Sequence, residues 1–461
     1  MTRKPARKTR TNDSFESAAA RLGLGQDNML AKSGYVAGRN ITRNPAELED
    51  MYRTSWVVGR MVEVVAEDMV RGGIAIQAQM DPGDIDVLLT AMTRSGVPGR
   101  LSDAIKWARL YGGALAVPLI DGHDLATPLD LDEVGKDSFR GLYVLDRHQV
   151  TPSQEAIKDL GPMLGYPESY VINQGGLDGQ RIHHTRAIRF VGIELPYRQR
   201  LTEQHWGASV VERAFDRILA LDSSTYGAAN LMLKAYLRVV NIKGLRKILA
   251  EGGPAEAALV KMMTFIRQTQ SNEGLTVLDG EDVFQGHSWT FAGVYDALQA
   301  FAEQISGATG IPLVRLLGQS PKGFSTGDSD LKMYYETIRT AQEDDLRGPV
   351  SLILGVLSRS EFGTPLPEGA NFTFNPLSMP SEIEKSQIAT ADAQAVAALF
   401  GASVITEAQA LAALRETSRI TGRFGTITDA EIAAAEAETA APPVPELEEI
   451  ETEPGPTPEA G

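Results

Sequence analysis

The chain has 461 residues, a formal net charge of −16, an apolar content of 43% and no cysteine. This length exceeds what one hydrophobic core normally serves, so we expect two or more subdomains. The composition excludes disulfides, thiolate metal sites and cysteine nucleophiles, and no apolar run reaches the roughly 18 residues of a membrane helix.

The charge is unevenly distributed along the chain. Residues 1–12 carry +5, residues 428–461 carry −10, and the body between them carries −11. Affinity for phosphates rests largely on Lys and Arg, so this body would not wrap nucleic acid by general attraction. The plainer interpretation is a solvated acidic surface that keeps the protein soluble.

The first part of the chain predicts a mobile basic arm followed by helices. Residues 1–45 are polar and lack sustained periodicity. Helical spacing, capping residues and glycine stops then predict three helices: Met51–Met69, Asp84–Arg94, and one that starts behind Ser102 and ends at Gly112-Gly113.

Residues 114–196 have the pattern of short strands. The runs ALAVPLI, GLYVLD, SYVIN and AIRFVGI are rich in β-branched and aromatic residues and are separated by turn residues. Pro118 in the first run predicts an edge strand, because proline cannot donate to a sheet ladder. The next part of the chain predicts a long helix that ends at about Leu237 and a strand over 237–242. A helix over 245–270 and two or three short strands over 271–292 are predicted after them.

A helix, a long loop and a longer helix are predicted between Gly293 and Leu357. The loop, residues 307–330, holds five glycines and two prolines around an apolar patch. Loops of this length inside compact domains are usually functional or disordered. Gly348-Pro349 predicts a bend in the second helix, because proline removes a backbone donor.

The last part of the chain predicts a small helical layer and an acidic tail. Three helix starts have the capping-box pattern: Ser381 with Glu384, Thr406 with Gln409, and Thr428 with Glu431. From Ala441 onward proline and glutamate dominate, which is typical of disorder. The fold class from the residues alone is α+β.

The loop contains two patterns found in enzymes, and both fail. Residues 323–327, GFSTG, match a nucleophile elbow, but all six histidines precede Ser325, so the required downstream base is missing. Residues 318–325, GQSPKGFS, resemble a phosphate-binding loop, but Lys322 precedes the second glycine instead of following it.

Metal sites are weighed against ordinary structural roles. His183 and His184 fall in a predicted strand, where neighbouring side chains point to opposite faces, so we expect them not to share a metal. The acidic pairs Asp328/Asp330 and Asp344/Asp345 could hold Mg²⁺ in a nuclease, but near helix starts such acids more often complement the helix dipole. No catalytic constellation is predicted.

Several stretches, taken in order, resemble tailed-phage portal proteins. They are SWVVGRMVEVVAEDMVRGGIAI, LYGGALAVPLI, IHHTRAIRFVGIELP, WGASVVERAFDRI and SGATGIPLVRLLGQSPKGFSTGDSDLKMYYETI, spread over about residues 46–376. The resemblance is to a portal-like group that is also known as an anti-CBASS family. No single motif is diagnostic; the ordered series carries the identification.

The resemblance implies a portal fold and its usual subdivisions. These are a wing over 46–240 and 331–376, a stem over 241–306 with a clip at about 271–292, a tunnel loop over 307–330, and a crown over 377–440. A flexible basic arm over 1–45 and a disordered acidic tail over 441–461 complete the chain.

The resemblance also implies partners and a DNA-contacting set. Portals form a ring, usually of twelve copies, at one capsid vertex of the virion, and are assembled in the host cytoplasm. They pass double-stranded DNA, receive the terminase large subunit, contact the major capsid protein and later join the head-tail adaptor, without a membrane or cofactor. The tunnel-loop residues that could touch DNA are Gln319, Ser320, Lys322, Phe324 and Ser325.

Two other functions remain open at this stage. One is an enzyme acting on cyclic nucleotides or nucleic acid, as the anti-CBASS name suggests. Such an enzyme would need two paired His-x-Thr/Ser elements, and His184-Thr185-Arg186 with His287-Ser288-Trp289 do not make that pair. The other is a non-portal head adaptor or minor head protein.

Overall fold

A computed structural model describes residues 40–233, 236–241, 245, 249–250, 252–269, 283–288, 293–318, 327–378 and 382–440. These residues belong to two compact units, one ending at Asn375 and one beginning at Pro376. Helices and strands are mixed in the first unit, which confirms the α+β class.

Fourteen α-helices are defined in the described residues. They are α1 Pro45–Thr54, α2 Trp56–Arg71, α3 Pro82–Arg94, α4 Val97–Tyr111, α5 Tyr197–Thr202, α6 Val210–Leu233, α7 Pro254–Thr269, α8 Val294–Thr309, α9 Leu313–Leu317, α10 Gly327–Ala341, α11 Arg347–Phe362, α12 Glu382–Gly401, α13 Glu407–Thr421 and α14 Asp429–Ala440.

Ten short strands form four antiparallel sheets in the same residues. They are β1 Ile74–Gln77, β2 Gly113–Ile120, β3 Phe139–Asp146, β4 Val150–Pro152, β5 Ser169–Ile172, β6 Arg181–His183, β7 Ile188–Val191, β8 Tyr236–Asn241, β9 Val283–Ser288 and β10 Asn371–Phe374. The sheets have the orders β1-β10, β3-β2-β7, β4-β5-β6 and β8-β9.

The core of the first unit lies where α2 and α4 pack beside the sheet centred on β2. The buried faces of both helices follow the helical spacing in the sequence, and Met61, Leu101 and Leu115 are at most 1% exposed. Gly113 at the start of β2 has a packing role, whereas the neighbouring Gly112 (φ 89°) ends α4. A Cβ added to Gly113 would lie 2.2 Å from the Trp206 ring, so only glycine lets this fully buried indole approach the strand.

Two predicted features of this region are wrong in detail. The third predicted helix, α4, begins at Val97 and not behind Ser102, which is buried inside it. The start is set by Gly96, which takes a left-handed conformation (φ 68°), and by Pro98, which suits a first helical turn. β2 is the central strand of its sheet and not an edge strand. Pro118 is tolerated because the ladder with β7 ends at Ala116, so only β3 pairs with β2 beside the proline.

The longer of the two helices predicted between Gly293 and Leu357 is confirmed. A π-helical turn interrupts it, where the sequence predicts a bend at a proline. A π-helical turn, Gln342–Leu346, joins α10 to α11 just before Gly348-Pro349. Pro349 cannot donate a backbone hydrogen bond, and the wider turn lies immediately upstream of it. The apolar face continues through the turn, because Ile338, Leu346 and Ile353 are all nearly completely buried.

A helical pair and a strand pair follow from the middle of the chain. α6 packs along α8, and β8 pairs with β9 in the register Tyr236 to Ser288. The strand predicted over 237–242 is therefore confirmed. Of the short strands predicted over 271–292, β9 is described, and the others lie outside the described residues.

The second unit is helical over its described residues. α12 contacts α13, and α13 contacts α14. The capping boxes at Thr406/Gln409 and Thr428/Glu431 are confirmed, whereas Ser381 lies outside the described residues. None of the helices in the described parts of the chain is long and apolar enough to cross a membrane.

Candidate functional site: the loop between α9 and α10

The predicted DNA-contacting residues lie outside the described part of the chain. Gln319, Ser320, Lys322, Phe324 and Ser325 fall between Gly318 and Gly327, where α9 has ended and α10 begins. The structure therefore defines the two flanks of this segment, and the flanks show how its ends are held.

The upstream flank is a compact turn followed by a short helix. α8 ends at Gly310 (φ 70°), and the Ser306 hydroxyl donates to the carbonyl of Ile311 at 2.6 Å. Ile311 is completely buried, and α9 then runs to a second left-handed glycine, Gly318 (φ 70°). The apolar patch that the sequence shows in the loop is therefore a helix. It is also not the strand that a nucleophile elbow would need before GFSTG.

Both flanks are attached to one buried carboxylate on α2. Asp68 is 0% exposed. The Arg315 guanidinium of α9 donates to it through Nε and Nη2, at 2.9 and 2.7 Å, and the Tyr334 hydroxyl of α10 donates at 3.0 Å. We call these three residues the Asp68 clamp. It joins the two ends of the loop to the same helix.

The electrostatics of the clamp follow from its burial. The hydrogen bond and charge of Asp68 raise the pKa of Arg315, and burial followed by the Asp68 charge raises the pKa of Tyr334. Arg315 therefore stays charged and Tyr334 stays protonated. Removing one partner of such a buried pair leaves an uncompensated charge, which is far more costly than losing a surface ion pair.

Two further hydrogen bonds fix the clamp to its surroundings. Arg60 of α2 donates through Nη2 to the carbonyl of Arg315 at 3.0 Å. In the π-helical turn, the buried Gln342 donates through Nε2 to the carbonyl of Met69 at 2.7 Å. α2 thus holds α9 and α10 through the side chains of Arg60 and Asp68, and the π-helical turn through the backbone carbonyl of Met69.

An open groove of about 500 Å³ lies beside the clamp, between the end of α8, α9 and the first turns of α10. Its walls are mostly apolar, with Ile311, Leu313 and Val314 on one side and Met333 on the other. Met333 is 72% exposed although it is large and apolar. The segments on both sides of the loop therefore form an apolar surface next to the buried pair Asp68–Arg315.

Sequence reasoning missed Asp68 and Arg315, although both leave a signal. Asp68 stands four residues after Val64 and seven after Met61, where the helical spacing calls for an apolar residue. Arg315 interrupts the apolar patch Leu313–Leu317. A lone acid and a lone base, each inside an apolar pattern, indicate a buried pair, but nothing in the sequence says that they meet.

The two neighbouring histidines differ from the prediction. Their rings lie side by side, with centroids 4.3 Å apart, because β6 ends at His183 and His184 already begins a 3₁₀ turn. Burial, followed by the charge of His184, lowers the pKa of His183. Within the described residues, no group of three or more His, Asp or Glu side chains is placed to hold a metal ion.

The other sequence candidates have separate positions. Asp344 and Asp345 lie in the π-helical turn. The pKa of Asp345 is raised by burial and, to a smaller extent, by the negative charges of Asp344 and Glu194. His184-Thr185 lies between β6 and β7, whereas His287-Ser288 belongs to β9, which is in a different sheet.

A family model described as "Phage portal protein" matches residues 46–398. An uncharacterized protein of Haemophilus influenzae is 26% identical over 407 residues, which are 88% of this chain and 90% of that protein. A Caulobacter protein named "Anti-CBASS protein Acb1" is 28% identical over 403 residues, which are 85% of this chain but 63% of that protein. The chain thus spans less than two thirds of that relative.

The fold is also found in solved structures. A chain from the neck of a native gene transfer agent particle, determined with C12 symmetry, has a TM-score of 0.51 and 13% sequence identity. The match covers 86% of this chain and 98% of the neck chain. At this identity the likeness shows the fold.

Proposed function

The chain belongs to the phage portal protein family, and on that premise we propose that it forms a ring at one capsid vertex and conducts double-stranded DNA during packaging and ejection. The observation that carries the proposal is the family match from residue 46 to residue 398. The C12 symmetry of the structurally similar neck favours a ring of twelve copies. The site of action is then the virion, after assembly in the host cytoplasm.

We propose the same subdivision that the sequence resemblance implies. Residues 46–240 and 331–376 form the wing and 241–306 the stem, and β9 belongs to the clip at about 271–292. Residues 307–330 form the tunnel loop and 377–440 the crown. The separate helical unit after Asn375 supports the assignment of the crown.

The charge of the chain suits a DNA conduit. A body carrying −11 attracts phosphates weakly, and many strong phosphate contacts would stall a moving duplex. Lys322, with the polar residues Gln319, Ser320 and Ser325 and the aromatic Phe324, would touch the DNA transiently. The Asp68 clamp supplies a fixed base for the loop that carries them.

The remaining contacts of the proposed portal are with proteins. The clip would face the terminase large subunit during packaging and the head-tail adaptor afterwards, and the wing would meet the major capsid protein. None of these roles requires a catalytic residue of this chain. A cyclic-nucleotide enzyme and a non-portal head protein are the alternatives that an experiment must separate from the portal.

Electron microscopy of the negatively stained, purified full-length protein tests the proposal. We expect rings with a central hole, and class averages should show a rotational symmetry near twelvefold. A compact monomer would overturn the portal function. Because an adaptor could also form rings, incorporation at a single vertex of assembled capsids, seen by gold labelling, distinguishes a portal from an adaptor.

A further inference from the structure

A second polar cluster, distant in sequence from the tunnel loop, surrounds Arg189 of β7. Its guanidinium carbon lies 4.6 Å from the ring centroid of Trp206, 4.9 Å from that of Tyr166 and 5.8 Å from that of Tyr170. Its Nη2 donates to the carbonyl of His205 at 2.6 Å. We call these residues, together with Arg200 of α5, the Arg189 cluster.

Arg200 brings a second positive charge to the same place. Its Nη1 donates to the Tyr166 hydroxyl at 3.3 Å, and its guanidinium carbon lies 5.6 Å from the centre of that ring. The neighbouring acid Glu203 is already paired with Arg43 and Arg147. Within the described residues, no carboxylate lies within ion-pair distance of Arg189 or Arg200.

The cluster also concentrates buried polar atoms that make no hydrogen bond of normal geometry with the protein, although Arg189 offsets part of the effect of burial, which raises the pKa of Tyr170. Eight such side-chain atoms occur in the described residues, and five of them lie here: Tyr170 Oη, Arg189 Nη1, Arg200 Nε, His205 Nδ1 and Trp206 Nε1. Tyr170 and Trp206 are each 1% exposed. Native proteins leave few buried polar groups unpaired, so a concentration of them points to a bound polar group.

The chemistry of these five atoms specifies that group. The two arginines and the indole can only donate, the hydroxyl can donate, and the imidazole nitrogen can take either role. Burial, then Arg189 and Arg200, lowers the pKa of His205, and no acid acts on it. Several donors beside two positive charges that have no carboxylate partner favour a negatively charged acceptor over water.

We infer that the Arg189 cluster binds a tetrahedral oxyanion of the phosphate or sulfate class, which joins β7, β5, α5 and the segment after α5. The donors come from four backbone segments, so an anion with four oxygens serves them better than a carboxylate with two. Arg189 and Arg200 are only half-buried, so the cluster lies near the surface.

Binding is tested on the full-length protein by isothermal titration calorimetry with inorganic phosphate, and by thermal unfolding in phosphate, sulfate, acetate or chloride at equal ionic strength. We expect saturable stabilisation by phosphate and sulfate above the level in chloride, because a ligand of the folded state raises its stability by mass action. Equal unfolding temperatures in phosphate and chloride would overturn the proposal. Acetate as effective as phosphate would overturn the tetrahedral assignment.

Matched arginine variants locate the site. Arg200→Gln should weaken phosphate binding about tenfold or more, because it removes a charge-assisted donor. Arg198→Gln is the control, since Arg198 lies on the same helix and is exposed. If both variants weaken binding equally, phosphate is held by general surface charge and the site is wrong.

Tyr170→Phe gives an independent test that does not depend on removing a charge. Loss of the hydroxyl should weaken phosphate binding about threefold to tenfold. Without phosphate the variant should be as stable as the natural protein or more stable, because an unpaired buried hydroxyl is removed. Unchanged phosphate affinity in this variant would remove Tyr170 from the site, and unchanged affinity in both Tyr170→Phe and Arg200→Gln would overturn the proposal.

Discussion

The Asp68 clamp and the Arg189 cluster are both buried polar assemblies in the first unit, but only one is complete within the chain. In the clamp, one carboxylate receives three hydrogen bonds from Arg315 and Tyr334. In the cluster, two guanidinium groups and three other side chains each carry a buried polar atom without a hydrogen-bond partner. The first assembly therefore stabilises by internal pairing, whereas the second depends on what it binds.

The largest expected effect comes from removing the clamp's carboxylate. Asp68→Ala should lower the free energy of unfolding by about 3–5 kcal/mol, because Arg315 then remains partly buried without its counter-charge. Urea unfolding measures the loss. Trypsin should also cut faster after Lys322, since both flanks of the loop lose their attachment.

Asp103→Ala is the matched control for this substitution. Asp103 forms an exposed ion pair with Arg100 at 3.4 Å, and removing it should change the free energy of unfolding by less than about 1 kcal/mol. A similar loss in both variants would mean that Asp68 acts as an ordinary surface acid and that the clamp does not hold the loop.

A smaller effect is expected when only the hydroxyl of the clamp is removed. Tyr334→Phe should lower the free energy of unfolding by about 1.5–3 kcal/mol, because a hydrogen bond to a buried charged group is lost. Comparison with Tyr170→Phe sharpens the contrast between the two assemblies, since the same chemical change should cost nothing there without phosphate. Equal destabilisation of the two variants would contradict the contrast.

The response to pH should also differ between the assemblies. The pKa of His205 is lowered below the ordinary value of 6.5 by burial and by Arg189 and Arg200. The unfolded chain then binds the proton more readily, so stability conferred by neutral His205 is present above about pH 6.5 and is lost as the pH falls below it. Protonation would add a third positive charge to the Arg189 cluster and none to the clamp.

His205→Asn tests this dependence. Asparagine suits the left-handed conformation at this position (φ 67°), and the variant should lose less stability than the natural protein between about pH 7.5 and about pH 5.5. Urea unfolding at the two pH values measures the difference. Burial also lowers the pKa values of His148 and His183, so these two histidines still make the His205→Asn variant less stable as the pH falls. An unchanged loss in His205→Asn would show that His205 does not contribute.

The smallest expected effect on stability is at the tunnel loop itself. Lys322→Gln should leave the free energy of unfolding unchanged and should reduce the length of packaged DNA or the infectivity of assembled particles. Lys332→Gln, at an exposed position of α10, is the control and should change neither property. If Lys322→Gln also leaves packaging and infectivity unchanged, the loop lysine is not needed for DNA passage.

Local patterns in the sequence predicted the features of the fold that depend on neighbouring residues. The apolar face from Tyr334 to Leu357, the capping box at Thr406 and the glycine stop at Gly112 are all confirmed. The start of α4 was misplaced because Ser102 has the chemistry of a cap, whereas the Gly96-Val97-Pro98 sequence sets the helix start. The sequence predicts a bend at Gly348-Pro349, whereas the structure has a π-helical turn at Gln342–Leu346, just upstream, which no local pattern predicts.

The α+β class, the helical faces, the charge distribution and the ordered stretches that resemble portal proteins can all be predicted from the residues alone. The contact of Asp68 with Arg315 and Tyr334, which are 247 and 266 residues away, is visible only in the folded chain, and so is the shared aromatic cluster of Arg189 and Arg200. Helical spacing and capping act over three or four residues, so the sequence displays them directly. Contacts between distant segments leave only an unexpected polar residue in an apolar pattern, because their geometry exists only once the helices have packed.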